Sequence, residues 1–287
     1  MPYERTDSSI VLKHPNGSSA EILFYGATVV SWKSASPSGG DLKERLFVSS
    51  KSPRDGSKPI RGGIPVVFPI FGPPTKPEHA RMPQHGFARS TVWKWEELVM
   101  DNESGVSVRL ILEPTAEIEA VFPHKFVIAY VVTLAGHQLS TDFHLRNKED
   151  KPLAFQVLLH TYYAVEAAKN VRITPLKGLT YINKVKNAAE EIEERDAVDV
   201  LQFTDSVYKS ASKEYEIDTG VDKLSLKSRE LNDVVVWNPG PEAGSKIADM
   251  EDGGWERYVC VEPGAASYFI EVEGGKRWVG GQTISIL

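Results

Sequence analysis

Apolar and polar residues alternate along much of this chain, as they do where a strand lays one face on a core. The pattern is clear at Val106-Ser107-Val108-Arg109-Leu110, at residues 139–145 and at Leu224-Ser225-Leu226-Lys227. Residues 126–134, 155–159 and 234–237 are more continuously apolar, which suits central strands covered on both faces. Near the N-terminus, Ile10-Val11-Leu12, a turn at Asn16-Gly17 and residues 20–32 read as a hairpin, Asn-Gly being suited to a tight turn at positive φ. Helix signals are sparse. The acidic stretch 188–200 has room for a turn or two of helix but reads more easily as a solvated loop. Many strands, many turns and no linker predict an all-β protein, a large antiparallel β-sandwich forming one domain over residues 1–287.

Two loops interrupt this pattern with unusual chemistry. Residues 61–74, Arg-Gly-Gly-Ile-Pro-Val-Val-Phe-Pro-Ile-Phe-Gly-Pro-Pro, are dense in glycine and proline, which fix an irregular backbone able either to shape a pocket or to brace a surface connection. Residues 83–89 set Gln84, His85 and Arg89 beside Gly86. Arg61 and Arg89 are candidates for holding a phosphate, whose oxygens match a guanidinium fork, or are ordinary surface charges. Strand alternation places Gln156, Leu158, His160 and Tyr162 on one face, so His160 is either a hydrogen-bonded core residue or a proton donor. Glu262 ends the apolar run 258–261 before Pro263-Gly264, as a carboxylate reaching solvent or as a catalytic one. Asp205 is a turn aspartate or a site residue.

Composition narrows the classes. Of 287 residues, 41% are hydrophobic and 25% charged, an ordinary globular balance. The net charge of -6 and pI near 5.7 lack the basic field of a general nucleic-acid binder, so no nucleic-acid partner is expected. Cys260 is the single cysteine, so no intrachain disulfide can form and a reducing cytoplasm is the expected setting. The first residues carry mixed charges without an apolar signal core, and no apolar run is long enough to cross a bilayer. No P-loop, dinucleotide glycine pattern, metal-ligand spacing or G-x-S-x-G elbow occurs, so neither a cofactor nor a metal is expected. Cys260, inside an apolar strand, is expected to pack rather than react.

Taken in order, these segments resemble the glucose-6-phosphate 1-epimerases (hexose-6-phosphate mutarotases) of the galactose mutarotase superfamily. Arg61-Gly62-Gly63-Ile64-Pro65 with Phe68-Pro69 is similar to their RGGIP-x-x-FP block, and residues 83–89 to their PQHGFAR block. Leu159-His160-Thr161-Tyr162, Thr204-Asp205 with Val207-Tyr208, Val236-Trp237-Asn238-Pro239 and Cys260-Val261-Glu262 resemble four further blocks in the expected order. The resemblance implies a β-supersandwich that interconverts the α and β anomers of a hexose 6-phosphate, glucose 6-phosphate foremost, with no cofactor. It makes Glu262 the base, ionised, and His160 the acid, protonated, when substrate binds. Asp205 would bind sugar hydroxyls and help keep His160 charged, and His85 would lie beside the sugar. Arg61 and Arg89, with Gln84, would hold the phosphate. A small sugar phosphate is the expected partner and a monomer the expected state. Rival readings are an aldose 1-epimerase for unphosphorylated sugars, a glycoside hydrolase built on Asp205 and Glu262, and a carbohydrate-phosphate binding protein without turnover.

Overall fold

A computed structural model describes residues 2–287. Its strands form antiparallel sheets, with short α-helices at Ala116–Val121 and Gly240–Gly244. A five-stranded meander runs through Tyr3–Arg5, Ser9–Lys13, Ser19–Leu23, Val29–Ser36 and Gly39–Glu44. An eight-stranded sheet orders Arg172–Thr174, Glu214–Asp218, Lys223–Arg229, Arg277–Ile286, Gln138–Asn147, Phe126–Leu134, Gly105–Leu112 and Lys94–Asn102. A second one, the site sheet, runs Ala189–Ile192, Thr180–Asn183, Thr204–Tyr208, Asp233–Asn238, Tyr258–Gly264, Leu158–Leu159 and Val66–Val67, with Tyr162–Ala164 also paired to Tyr258–Gly264. Among the described residues no helix is long and apolar enough to cross a membrane.

Alternation makes the core. Val108, Leu110, Ile128, Tyr130, Val132 and Ile284 from one large sheet share a buried cluster with Tyr208, Val234, Val236, Val259 and Val261 from the other. The opposite face of the site sheet carries Asp205, Trp237, Cys260 and Glu262, because each strand turns every second residue outward. Register aligns them: Asp205 pairs with Trp237, Trp237 with Cys260, Cys260 with Tyr162, and Val235 with Glu262.

Three expectations about elements need correction. Residues 20–32 are not one strand: Gly26 (φ 72°) and Ala27 (φ 46°) take left-handed conformations, and the chain folds back so that Ala20 pairs with Trp32. The run 155–159 is split between Leu153–Phe155, paired with Ile270–Val272, and Leu158–Leu159 in the site sheet. Gln156 sits at that break and braces two loops, accepting from the Phe71 N–H and donating to the Ala266 carbonyl. The acidic stretch holds a strand, Ala189–Ile192, at the edge of the site sheet. Just beyond it Glu193 is buried, chelated by the Arg195 guanidinium and accepting from the Tyr208 hydroxyl at 2.7 Å.

Candidate active site

The site sheet forms the floor of an open cleft. Arg61, Gln84, His85, Arg89, His160, Asp205 and Glu262 all line it, so the structure brings these seven candidate residues to one place. Phe71, Lys184, Val235 and Trp237 complete the wall. Phe71 and Trp237 lie in segments already picked out by their sequence. Lys184 carried no signal beyond being one lysine among many.

The two unusual loops are built around glycines that no other residue could replace. A Cβ at Gly63 (φ 68°) would stand 2.1 Å from the Val29 carbonyl oxygen, and one at Gly86 (φ 69°) 2.1 Å from that of Phe68. These close approaches let the 61–74 loop thread between neighbouring strands, where Ile64 donates to the Val29 carbonyl and Tyr162 to that of Gly63. They also lock the second loop onto the first, since Phe87 N–H donates to Phe68 O. His85 itself sits at φ 67°, a strained position for a non-glycine residue. Its Nδ1 accepts the Gly72 N–H at 3.2 Å, so its ring proton belongs on Nε2. Nε2 lies 3.4 Å from the Gln84 amide, which can accept through its oxygen once the amide is turned that way round. Burial, followed by the charges of Arg89, Lys184 and Arg61, holds His85 well below its ordinary pKa. It is a neutral ring with one N–H to offer.

His160 lies where the chain passes from Leu158–Leu159 to Tyr162–Ala164. Its ring stacks on Tyr162 (4.7 Å, 9°) and meets the edges or faces of His85 and Trp237 at right angles. The next residue, Thr161, accepts from the Gln282 side chain at 2.8 Å, pinning this turn to the opposite sheet. His160 Nδ1 and Glu262 Oε1 are 3.3 Å apart, close enough for an ion pair but not aligned as a hydrogen bond. Both His160 Nδ1 and Glu262 Oε2 are buried without a hydrogen-bond partner. Facing a cleft, such polar atoms can be completed by water or by a bound ligand.

Burial dominates the electrostatics of this pair. It pushes the Glu262 carboxyl well above its ordinary range, with the Asp205 charge adding to it and Lys184 and Arg89 opposing. It pulls His160 well below, reinforced by His85, Arg89 and Arg61. In the protein alone, burial thus opposes the charged form of both groups, whereas the resemblance expects both to be charged when substrate binds. The physical reason is that each charge would lie in a dry site, and the charged groups nearest His160 are cations. Asp205 bears on Glu262, raising its carboxyl further. Its own carboxyl is raised by burial, partly countered by Lys184 at 3.7 Å.

The two arginines differ. Arg61 Nε donates to Asp249 Oδ1 at 3.1 Å, a partner that lies far along the chain. Arg89 forms no ion pair among the described residues; it donates to the Gln84 carbonyl oxygen, and its Nε is buried unpartnered. A half-buried guanidinium left like this is electrostatically unfinished, since buried charge normally comes with a counter-charge. Lys184 stands across the cleft, its Nζ 4.8 Å from the centroid of the Phe71 ring. It is held by the turn after Thr180–Asn183, where Asn183 Oδ1 accepts the Val185 and Lys186 N–H groups. As possible metal ligands, His160, Cys260 and Glu262 come together although their sequence spacing matches no metal motif.

A protein of Cenchrus ciliaris described provisionally as a glucose-6-phosphate 1-epimerase is 33% identical over 94% of this chain and 82% of its own. One of Escherichia coli K12 with the same description is 30% identical over 90% and 83%. The crystal structure of YeaD from Salmonella typhimurium, described provisionally as a mutarotase, superposes with a TM-score of 0.87 at 27% identity, over 99% of this chain and 92% of that one. The sequence model of the aldose 1-epimerase family matches residues 8–285. The fold is that of the galactose mutarotases, and this chain belongs to the aldose 1-epimerase family and is an epimerase.

Proposed function

We propose that the protein interconverts the α and β anomers of hexose 6-phosphates, glucose 6-phosphate foremost, by opening and reclosing the hemiacetal ring. The observation that carries the phosphate is Arg89: a half-buried guanidinium without a carboxylate, in the same cleft as Arg61. A phosphate on the sugar's 6-position supplies the missing counter-charge. Anchored there, the sugar leaves its anomeric carbon free to lie against Glu262 and His160. Gln84 extends the anion grip at the rim, and Asp205 accepts from sugar hydroxyls. His85 donates its Nε2–H to an oxygen that gains negative charge.

The reaction needs a base for the O1 proton and an acid for the ring oxygen. Moving one proton from the Glu262 carboxyl to the His160 imidazole, 3.3 Å away, makes carboxylate and imidazolium without exchange with water. A phosphate dianion favours that arrangement, because it offsets the charges of Arg61 and Arg89 that oppose a charged His160. Glu262 Oε2, free of protein partners, then takes the O1 proton. The C1–O5 bond breaks, C1=O1 forms, and His160 protonates O5. Rotation about C1–C2 and the reverse proton transfers close the other anomer.

The test is Arg89→Ala. It is expected to raise KM for glucose 6-phosphate by roughly 10–100-fold, the value of one or two charge-assisted hydrogen bonds, and to leave free glucose almost unaffected. Equal effects on the two sugars would overturn the phosphate reading.

A further inference from the structure

Strand register brings His160 beside Cys260 and Glu262, three side chains of metal-ligating type. Trp237 pairs with Cys260 and Val235 with Glu262, so Cys260 and Glu262 share the cleft-side face two residues apart. Tyr162 pairs with Cys260 and carries the His160 turn alongside. A His160 ring nitrogen, the Cys260 Sγ and a Glu262 carboxylate oxygen all lie within 4.8 Å of one another, and all three residues are buried. Two of the donors, His160 Nδ1 and Glu262 Oε2, lack partners. Ring opening uses the histidine and the carboxylate but gives Cys260 nothing to do.

We propose that His160, Cys260 and Glu262 form an inhibitory site for a thiophilic divalent cation of the Zn²⁺ class. Imidazole nitrogen, thiolate sulfur and carboxylate oxygen suit zinc and cobalt, whereas Mg²⁺ and Ca²⁺ take oxygen ligands and leave a thiolate alone. A tetrahedral ion with ligands at roughly 2.0–2.3 Å spaces its donor atoms about 3.3–3.8 Å apart. The histidine–carboxylate pair already stands at 3.3 Å. The widest separation, 4.8 Å, must close by roughly 1 Å, which small side-chain adjustments supply. The fourth ligand position is left for water.

Binding releases two protons, one from the Cys260 thiol and one from the Glu262 carboxyl, while His160 binds through a neutral nitrogen. Two anionic ligands on a dication leave no net charge. That matters because Arg61, Arg89, Lys184 and His85 face the site from its walls, with Asp205 opposite and Tyr162 alongside. The cation occupies both groups assigned to proton transfer, so it and the sugar exclude each other. Inhibition therefore rests on the epimerase reading of His160 and Glu262; cation binding does not.

The experiment uses the full-length, metal-free protein. Titration with Co²⁺ alone should raise a thiolate-to-cobalt charge-transfer band in the near ultraviolet, and because Cys260 is the only cysteine that band reports it alone. In parallel, chelator-buffered Zn²⁺ should abolish anomerisation reversibly while Mg²⁺ does nothing. Cys260→Ser should lose the band and need at least about tenfold more Zn²⁺ for half-inhibition, since even outer-shell partners are worth that much. Cys260→Ala replaces it should serine in the apolar strand prevent folding. No band at saturating Co²⁺, or equal Zn²⁺ sensitivity of wild type and the cysteine variant, overturns the site. A band without inhibition retains the cation site but overturns its inhibitory role, and faults the epimerase assignment of His160 and Glu262.

Discussion

Val261 and Glu262 are neighbours in one strand, with exposures of 0% and 1%, and they face opposite sides of the same sheet. Val261 joins Val234, Val236 and Val259 in the core shared with the other large sheet. Glu262 joins Asp205 and Trp237 on the floor of the cleft, with Cys260 buried on the same face. The two faces are almost equally dry, yet the first is stabilised by its dryness and the second is not. On the core face apolar side chains pack on one another, and a polar atom left unpartnered, such as Tyr163 Oη, belongs to a neutral group. On the cleft face a carboxylate oxygen, an imidazole nitrogen and a guanidinium nitrogen are left without hydrogen-bond partners. One sheet thus spends on the site part of what its other face contributes to stability.

The largest expected effect breaks this comparison at the cleft. His160→Ala and Glu262→Gln should each lower turnover by roughly 10²–10⁴-fold, the usual worth of a general acid or base, while circular dichroism stays native. Substantial turnover in either variant would remove it from the mechanism. On the core face, Val261→Ala should cost roughly 2 kcal/mol of stability through lost burial and the cavity left behind. Its kinetic constants, measured well below its melting temperature, should match the wild type. A changed KM would mean that the two faces are not independent.

A third variant sharpens the contrast through pH. Burial raises the Glu262 pKa above its unfolded value of about 4.5, so the folded protein keeps a proton that the unfolded chain releases. That stability is present below pH 4.5 and is lost as pH rises through the folded value. Glu262→Gln removes this loss. Its melting temperature should therefore exceed that of the wild type by an amount that grows from pH 5 to pH 8, reaching roughly 2–4 °C for each kcal/mol released. An advantage that shrinks over the same range would show that the carboxyl is ionised in the folded protein. The smallest effect belongs to Lys184→Ala. A half-exposed cation 3.7 Å from Asp205 is worth under about 1 kcal/mol, so KM for the sugar phosphate should rise roughly two- to fivefold.

The same two faces explain what could be read from the chain. Alternation at 106–110 and 139–145 and the apolar runs at 126–134 and 234–237 identified strands correctly, because burial on one face or both leaves its mark on sequence. Residues 20–32 misled because Gly26-Ala27 turns the chain between two apolar stretches with little polar punctuation. The stretch 188–200 misled because Glu193 is buried only by virtue of Arg195 and Tyr208, neither of which marks a carboxylate as buried in sequence. The cleft residues were legible through motif resemblance and not through periodicity. Lys184 and Asp249 were not legible at all, since a lysine at a strand end and an aspartate opposite a distant arginine gain meaning only from register and loop packing. The charge preferences of His160 and Glu262 in the protein alone are not legible for a related reason: they follow burial, and alternation does not reveal how dry the cleft face is.

The central claim, that the cleft opens a hexose ring held by its 6-phosphate, is tested most directly by following anomerisation of freshly dissolved α-glucose 6-phosphate by polarimetry. Free α-glucose and protein-free blanks run in parallel, because the spontaneous reaction is appreciable. The account predicts relaxation that accelerates in proportion to protein and far more for the phosphate than for glucose. Acceleration of glucose alone, or of neither sugar, would contradict it.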